Sequence, residues 1–358
     1  MKKRRTYGCS GKRSAIRRRW LRSLLRKQRK RHLAGGRKIY ASLRKRRGRV
    51  AFVRLRSPDT LGLQGEPRVR FIRFLRELRN VALQGGNGVI VDFSQTVRIY
   101  PAGGLLLVAE LDRIKKLVPN GALLSCKGAT QDSLPDQVLT QIGVYKALGY
   151  STGASPSDQT VVHWRTATGL KAAGEEAGPL LENCDGELAP ALRTSLYRGI
   201  TEAMTNAVQH AYLGPRRDGS NCHGEKRWWL FSQQRDGVLY VVFCDLGIGI
   251  PASLPIVNTG VKKILAGFAR NRSDVEAIRL ATELGKTSTA QPNRGKGLPE
   301  ILDAARKSAQ GACVIYSNRG QFGFDPGGTE VEKQYSDSIL GTLIEWRVPI
   351  SEGTNDEQ

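Results

Sequence analysis

The spacing of apolar residues predicts strands and helices that alternate along the first part of the chain. Strands are expected where β-branched and apolar residues follow one another, at 50–55, 88–93 and 122–126. Helices are expected where apolar residues recur at helical spacing, at 69–83, 102–117 and 134–148, the second after a predicted turn at Gly103-Gly104. This alternation is typical of a small α/β domain with helices packed on a sheet.

A stretch rich in Gly, Ala, Ser and Pro, at 151–185, separates this pattern from the second part of the chain. It predicts a linker that contains one short strand, at 160–164. A long amphipathic helix is then expected from Glu187 to Tyr212. One side of this helix is apolar, and the other places Glu202, Asn206 and His210 in one row. Taken alone, such a row is typical of the solvent side of a helix.

Two segments that contain glycine follow the long helix. A buried strand at 237–244 leads to Asp245, after which Gly247 and Gly249 would let the backbone approach a flat ligand closely. A helix that runs to about residue 308 is expected to begin in the segment Asn293–Leu298, and the exposed N–H groups of such a helix start can bind phosphate. Each of these segments is a weak signal by itself.

The order and spacing of the motifs resemble the GHKL ATPase superfamily, which includes DNA gyrase, MutL, the histidine kinases and the anti-sigma serine kinases. The resemblance covers about residues 185–349, and the segment Thr201–Tyr212 looks closest to the kinase-like branch. It implies an α/β sandwich, a mixed sheet with helices on one face, that binds ATP and Mg²⁺. The motifs that carry it are Glu202-x-x-x-Asn206, Asp245-x-Gly247-x-Gly249, Gly295-x-Gly297-Leu298, and Gly341-Thr342 at the start of a closing strand to Pro349.

Roles for individual residues follow from this resemblance. Asn206 would bind Mg²⁺ through its side-chain oxygen, and Glu202 would accept a proton from water or from a hydroxyl nucleophile. Asp245 would accept a hydrogen bond from the adenine amine, and Thr342 would complete the adenine edge. A lid is implied at about 258–293, with lysines that neutralise phosphate charge. The other implied nucleotide-binding positions are His210, Gly247, Gly249, Lys286, Gly295, Lys296, Gly297 and Leu298.

The first part of the chain resembles a different family, the STAS domains, which include the anti-anti-sigma factors. The segments Val89–Ser94 and Ile99–Leu105 carry this resemblance. Regulatory STAS domains have an Asp-Ser-Ser-Gly phosphorylation loop where this chain has Tyr100-Pro101-Ala102-Gly103, without a serine or threonine. The resemblance therefore implies a module for binding a protein partner or for homodimerisation, and it does not support a switch by serine phosphorylation.

The distribution of charge sets the N-terminus apart. The formal net charge is +25, and 24 of the 57 Lys and Arg residues precede Asp59, the first acidic residue. The rest of the chain carries 33 basic and 32 acidic side chains. A basic arm at 1–47 is therefore expected not to fold by itself. We expect this arm to bind the phosphates of a nucleic acid. An apolar group within the arm also leaves open a membrane surface, a protein partner or a targeting role; it comprises Trp20, Leu21, Leu24 and Leu25.

The sequence thus predicts an α/β protein with a basic arm, two folded parts, a linker and a tail. Apolar runs long enough for a membrane span or a signal peptide are not found, and six cysteines without CxxC spacing favour the cytoplasm. The predicted segments are the arm at 1–47, a STAS-like domain at 48–150, a linker at 151–184, a GHKL ATP-binding domain at 185–350 and a tail at 351–358.

Three functions fit this organisation. We expect an ATP-dependent regulatory switch with slow hydrolysis, which contacts nucleic acid through its arm. One alternative is a serine/threonine kinase of the anti-sigma type that acts on a separate partner. The other is a nucleic-acid-binding module with a vestigial ATP site, against which the intact Glu202 and Asn206 argue.

Overall fold

The computed structural model describes residues 51–84, 88–118, 123–151, 155–172, 188–220, 225–257, 273–287, 297–308 and 310–350. The predicted arm at 1–47 and the tail at 351–358 lie outside these ranges. The described residues from Phe52 onward belong to one compact unit. Within the described part of the chain, no helix is both long enough and apolar enough to cross a bilayer.

Strands and helices alternate in the first half, as the apolar spacing predicts. The strands are β1 (Phe52–Arg56), β2 (Thr60–Leu61), β3 (Gly88–Asp92), β4 (Arg98–Ile99) and β5 (Leu124–Lys127). The helices are α1 (Gly65–Gln84), α2 (Pro101–Leu117), α3 (Leu134–Gln141) and α4 (Val144–Ala147). Three strands form a parallel sheet in the order β1-β3-β5, and β2 pairs with β4.

Glycines in this half correct two of the predictions. Gly103 and Gly104 lie inside α2 and do not form a turn before it. A Cβ atom at Gly103 would overlap the backbone of Leu61, so glycine allows the helix to pack directly on β2. The helix predicted at 134–148 is interrupted at Gly143, whose φ of 78° lies in the left-handed region.

A second sheet dominates the rest of the chain. Its strands are β6 (Arg165–Gly169), β7 (Trp228–Arg235), β8 (Val238–Asp245), β9 (Ala312–Ser317), β10 (Gly320–Phe324), β11 (Glu330–Gln334) and β12 (Thr342–Pro349). The helices are α5 (Gln159–Val162), α6 (Pro190–Asn206), α7 (Ile250–Val257), α8 (Asp274–Thr287) and α9 (Gly297–Arg306). A π-helical turn, Ala207–Ala211, continues α6. The strands lie in the order β11-β10-β9-β12-β8-β7-β6.

Neighbouring strands of this second sheet are antiparallel in every pair, so the predicted mixed sheet is wrong. β8 and β9 run parallel to each other, but β12 lies between them and is antiparallel to both. The short strand predicted at 160–164 is wrong as well. Gln159–Val162 forms α5. The strand β6 that follows also lies within the predicted linker, and it pairs with β7 of the second sheet.

Both faces of the second sheet are buried. Alternate residues such as Trp228 and Leu230 face a core that they share with α6 and α9. The residues between them, such as Trp229 and Phe231, belong to a second core built around α2. Helices therefore cover both faces and not one, and α2, from the first half of the chain, supplies the second cover.

Candidate functional site

Glu202, Asn206 and Gly297 come together where α6 meets the start of α9. Both helices are fixed there because their apolar sides pack on the same face of the sheet. A Cβ atom at Gly297 would lie 2.7 Å from Oε2 of Glu202 and 3.4 Å from Nδ2 of Asn206. The N–H groups at a helix start have no partner within the helix, so this end of α9 offers donors beside an amide and a carboxylate.

The carboxyl group of Glu202 is only half-buried, but its surroundings favour the protonated form. Burial raises the pKa of Glu202, and the negative charge of Glu300 raises it further. Glu300 lies in the first turn of α9, close to Gly297. A carboxyl group with a raised pKa is suited to accept a proton in a reaction near neutral pH and to give it back.

Asp245 ends β8 and is buried. Its Oδ1 accepts a hydrogen bond from the N–H of Gly247 at 2.9 Å. Thr342, its partner across the sheet on β12, donates hydrogen bonds to it from the backbone and from the hydroxyl. Burial outweighs these bonds and raises the pKa of Asp245 to about 7. The group is thus close to half-protonated at neutral pH, and a ligand that donates a hydrogen bond would favour its charged form.

The glycine after Asp245 makes room for the protein's own backbone. A Cβ atom at Gly247 would overlap the carbonyl group of Ala211 in the π-helical turn. That carbonyl oxygen accepts a hydrogen bond from the N–H of Ile248 at 2.7 Å. The loop that carries Asp245 is therefore fixed against the turn that follows Asn206, and the two motifs lie side by side.

Ser317 and Asn318, which sequence analysis missed, hold the other side of the same loop. Asn318 donates from Nδ2 to the carbonyl oxygen of Ile248 at 2.8 Å, and a Cβ atom at Gly249 would overlap this amide. Oγ of Ser317 accepts from the N–H of Ile250 at 2.8 Å and lies 3.2 Å from the hydroxyl of Thr342. The available signal was the Asn-x-Gly turn between β9 and β10, where Asn318 has a φ of 53°.

A cluster of buried charges supports the Asp245 loop from the side of α2. Glu110 is fully buried and pairs with Arg216 at 2.7 Å and with Arg79 at 3.0 Å. Burial raises the pKa of Glu110, but these two arginines and Arg113 together bring it below its ordinary value. Arg113 also donates from Nη1 to the carbonyl oxygen of Leu246 at 3.3 Å. Helix α2 is thus joined to the residue directly after Asp245.

Two of the remaining predicted positions, His210 and Leu298, do not join these contacts. His210 lies half-buried in the π-helical turn, where burial and the charge of Lys226 lower the pKa of its imidazole. Leu298 packs against the core between the helices and the sheet. The backbone of Lys286 belongs to α8, and its side chain lies outside the described part of the structure, as do Gly295 and Lys296.

The side chains at the site are suited to a metal ion that is bound mainly by the phosphates of a ligand. Among the described residues, no three His, Cys, Asp or Glu side chains lie close enough together to hold a metal. Mg²⁺ commonly keeps several waters and binds one or two protein groups together with substrate phosphates. Asn206 lies beside the start of α9, with Nδ2 as the atom nearest Gly297, and its side-chain oxygen is the group that would bind such an ion.

Comparison with protein-family models gives no match, and comparison with curated proteins gives no significant match. The case for a site at the end of α6 therefore depends on its geometry and on the chemistry of its side chains.

Proposed function

We propose that residues 185–350 form a GHKL-type domain that binds ATP with Mg²⁺, and that the protein is an ATP-dependent regulatory switch with slow hydrolysis. The observation that carries the proposal is the meeting of separate motifs at one end of α6. Gly297 lies against Glu202 and Asn206, and the Asp245 loop packs on the turn that follows. These segments are far apart in the sequence, and their meeting would let one ligand contact all of them.

Asp245 is the proposed adenine-binding group. The exocyclic amine of adenine would donate a hydrogen bond to this buried carboxylate and stabilise its charged form. Guanine has a carbonyl oxygen at the equivalent position, which would face the carboxylate with no hydrogen bond between the two acceptors, and this is costly in a buried site. Thr342, which already donates to Asp245, is proposed to complete the adenine edge.

Asn206 and the start of α9 are proposed to hold Mg²⁺ and the phosphates. Gly295, Lys296 and Lys286 would add backbone donors and positive charge from the segments beside α9. Glu202, next to the proposed metal ligand, would take the proton from the attacking water. When bound, Mg²⁺ neutralises phosphate charge and orients the terminal phosphate.

The STAS-like half is proposed to bind a protein partner or a second copy of the chain. The hydrogen bond from Arg113 to Leu246 connects its helix α2 to the residue beside Asp245. A ligand that moves the Asp245 loop would therefore act directly on α2. This contact supports a switch in which nucleotide binding changes partner binding.

Incubation with ATP labelled on the terminal phosphate, with Mg²⁺, tests the proposed reaction. Free labelled phosphate from the wild-type protein, and its loss in Glu202→Gln, is the expected result. Label that is transferred to an added partner protein would favour the serine/threonine kinase alternative. A folded protein that neither binds nor turns over ATP would overturn the proposal.

We also propose that the basic arm at 1–47 binds nucleic acid. The excess of positive charge lies before Asp59, so deletion of residues 2–47 should leave a nearly neutral protein. The deletion should remove binding to duplex DNA and leave ATP binding unchanged, and full-length binding should fall steeply with salt. Fluorescence anisotropy at two salt concentrations measures both effects. Equal duplex binding by the truncated protein would contradict the assignment, and binding only to anionic vesicles would favour the membrane alternative.

A further inference from the structure

Within the described part of the chain, one face of the parallel sheet β1-β3-β5 is open, since Phe52, Arg54 and Arg56 of β1 are exposed there, although parallel sheets are usually covered on both faces. The strand register places eight residues on this open face in three rows, and Leu123, one residue before β5, extends the first row. Burial alternates along β1 accordingly, with Val53 and Leu55 partly buried and their neighbours exposed. The rows are Phe52, Gly88 and Leu123; Arg54, Ile90 and Ser125; and Arg56, Asp92 and Lys127.

Phe52 forms a flat aromatic surface on this open face. A Cβ atom at Gly88, its partner on β3, would overlap the ring of Phe52, so the ring lies across the glycine. Half of Phe52 nevertheless remains accessible, with an exposure of 50%. Glycine is thus needed at position 88 for an aromatic ring to lie on the strand with one side free.

Basic side chains surround this ring. Arg54, Arg56 and Lys127 share the open face with a single carboxylate, that of Asp92. Arg54 pairs with Asp92 at 2.6 Å, and Arg56 and Lys127 are exposed on either side of it. The face therefore combines an exposed aromatic ring with excess positive charge.

We propose that the open face of this sheet is a binding site for single-stranded nucleic acid. A base would stack on Phe52, and the adjoining phosphates would be bound by Arg56 and Lys127. Aromatic rings on a sheet surface bind unpaired bases in this way, and stacking does not depend strongly on which base is present. This site is separate from the proposed nucleotide site on α6 and does not depend on it.

The charge of the face and the exposed ring of Phe52 favour single-stranded nucleic acid over a protein as the ligand. A protein partner would be expected to cover more apolar area, whereas here Phe52 and Leu123 are the large apolar residues left exposed. A polyanion would neutralise the cations that the face presents.

The test compares a 12-nucleotide single strand with a 12-base-pair duplex, using the full-length protein and fluorescence anisotropy. Phe52→Ala should weaken binding of the single strand about tenfold or more, because base stacking on the ring is lost. Binding of the duplex, which the arm provides, should stay within about twofold. Phe52→Trp keeps an aromatic ring and should bind the single strand at least as well as the wild type does.

The basic residues are tested by the salt dependence of single-strand binding. The double variant of Arg56→Ala with Lys127→Ala should reduce the slope of log K against log salt by about 1.4, two contacts at about 0.7 each. The charge-matched control of Arg235→Ala with Lys146→Ala removes two exposed cations from other elements and should leave single-strand affinity and slope close to wild type.

Three results would overturn the proposal. Phe52→Ala could bind the single strand as well as the wild type does. It could lose affinity for single strand and duplex by the same factor, which would mean that stacking is not involved. Light scattering could show that Phe52→Ala breaks up a dimer, which would identify the face as an interface between copies of this chain.

Discussion

Glu110 and Glu202 lie on helices that cover opposite faces of the same seven-stranded sheet, and their surroundings differ sharply. Glu110 on α2 is fully buried, yet arginines on several sides keep the pKa of its carboxyl group below the ordinary value. Glu202 on α6 is less buried, yet burial and the nearby Glu300 raise its pKa. The extent of burial alone therefore does not decide whether a carboxylate is stabilised in its charged form.

The difference lies in the partners that the fold supplies. Around Glu110 the fold provides Arg79 and Arg216, so the charge is neutralised within the protein and the cluster serves to hold α2 on the sheet. Around Glu202 it provides Gly297, the end of a helix and a second carboxylate. Groups left with perturbed pKa values in such surroundings are candidates for chemistry, whereas neutralised clusters are candidates for stability.

The largest effect is expected at Glu202. Glu202→Gln should lower ATP turnover by about 10²- to 10⁴-fold, because a general base is removed, while ATP affinity changes little. Turnover by Glu300→Gln is the control, since this variant removes the neighbouring carboxylate and keeps the proposed base. Steady-state phosphate release and a binding titration measure the two quantities. Unchanged turnover in Glu202→Gln would show that Glu202 is not the base.

The effect at Glu110 should appear in stability and not in chemistry. Glu110→Ala removes the fully buried carboxylate that Arg216 and Arg79 share and leaves them only the less buried Asp218, so it should destabilise the protein by about 3–5 kcal/mol in urea unfolding. Arg76→Ala breaks an exposed pair with Asp337 and should cost less than about 1 kcal/mol. Similar losses in the two variants would contradict the role given to the cluster.

The pH dependence of Glu110 has a definite sign. Because its pKa in the folded protein lies below the ordinary value of 4.5, the stabilisation it provides is present above about pH 4.5. That stabilisation is lost as the pH falls through the lower, folded-state pKa. Acid unfolding of the wild type should therefore include this contribution, and Glu110→Ala should lack it.

A smaller effect is expected at Asp245, whose pKa of about 7 lies far above the ordinary value of 3.8. Its contribution to stability is present below about 3.8 and is lost as the pH rises through 7, whereas ATP binding should need the charged form. ATP affinity should therefore increase as the pH rises through 7. Thr342→Val removes a hydrogen bond that lowers this pKa and should move the transition to higher pH.

Thr342→Ser keeps the hydroxyl group and is the control for this transition. Calorimetry across the pH range measures the ATP affinity of each variant. The titration of ATP itself is the same for all variants, so a difference between their transitions reports on the protein. The same transition in Thr342→Val and Thr342→Ser would contradict the proposed link between Asp245 and the adenine base.

Local pattern was enough to predict most elements of the fold. The apolar runs of β8 and β12 and the amphipathic spacing of α6 place those elements where the structure has them, because both faces of these strands and one side of the helix are buried. The antiparallel arrangement of neighbouring strands in the second sheet was not predictable in this way. It depends on β12 lying between β8 and β9, a long-range pairing that no local spacing records.

The site was predictable in part for a similar reason. Glu202 and Asn206 lie in a polar row on an amphipathic helix, and Asp245 follows an apolar strand, so local sequence pattern distinguishes all three. Ser317 and Asn318 belong to an ordinary turn between two strands, and only the fold brings them to the Asp245 loop. The cover of the second sheet face by α2 also joins segments far apart in sequence, so Arg113 could not be linked to Leu246 beforehand.

The most direct test of the account is calorimetric titration of the wild-type protein with ATP and Mg²⁺, beside Asn206→Ala and Asp245→Asn. The wild type should bind, and each variant should lose about tenfold or more, the effect of removing one hydrogen bond or ligand to a charged group. Asn80→Ala, on the exposed side of α1, should bind as the wild type does. Wild-type affinity in both site variants, or a folded wild-type protein that does not bind ATP, would contradict the assignment of a nucleotide site to the end of α6.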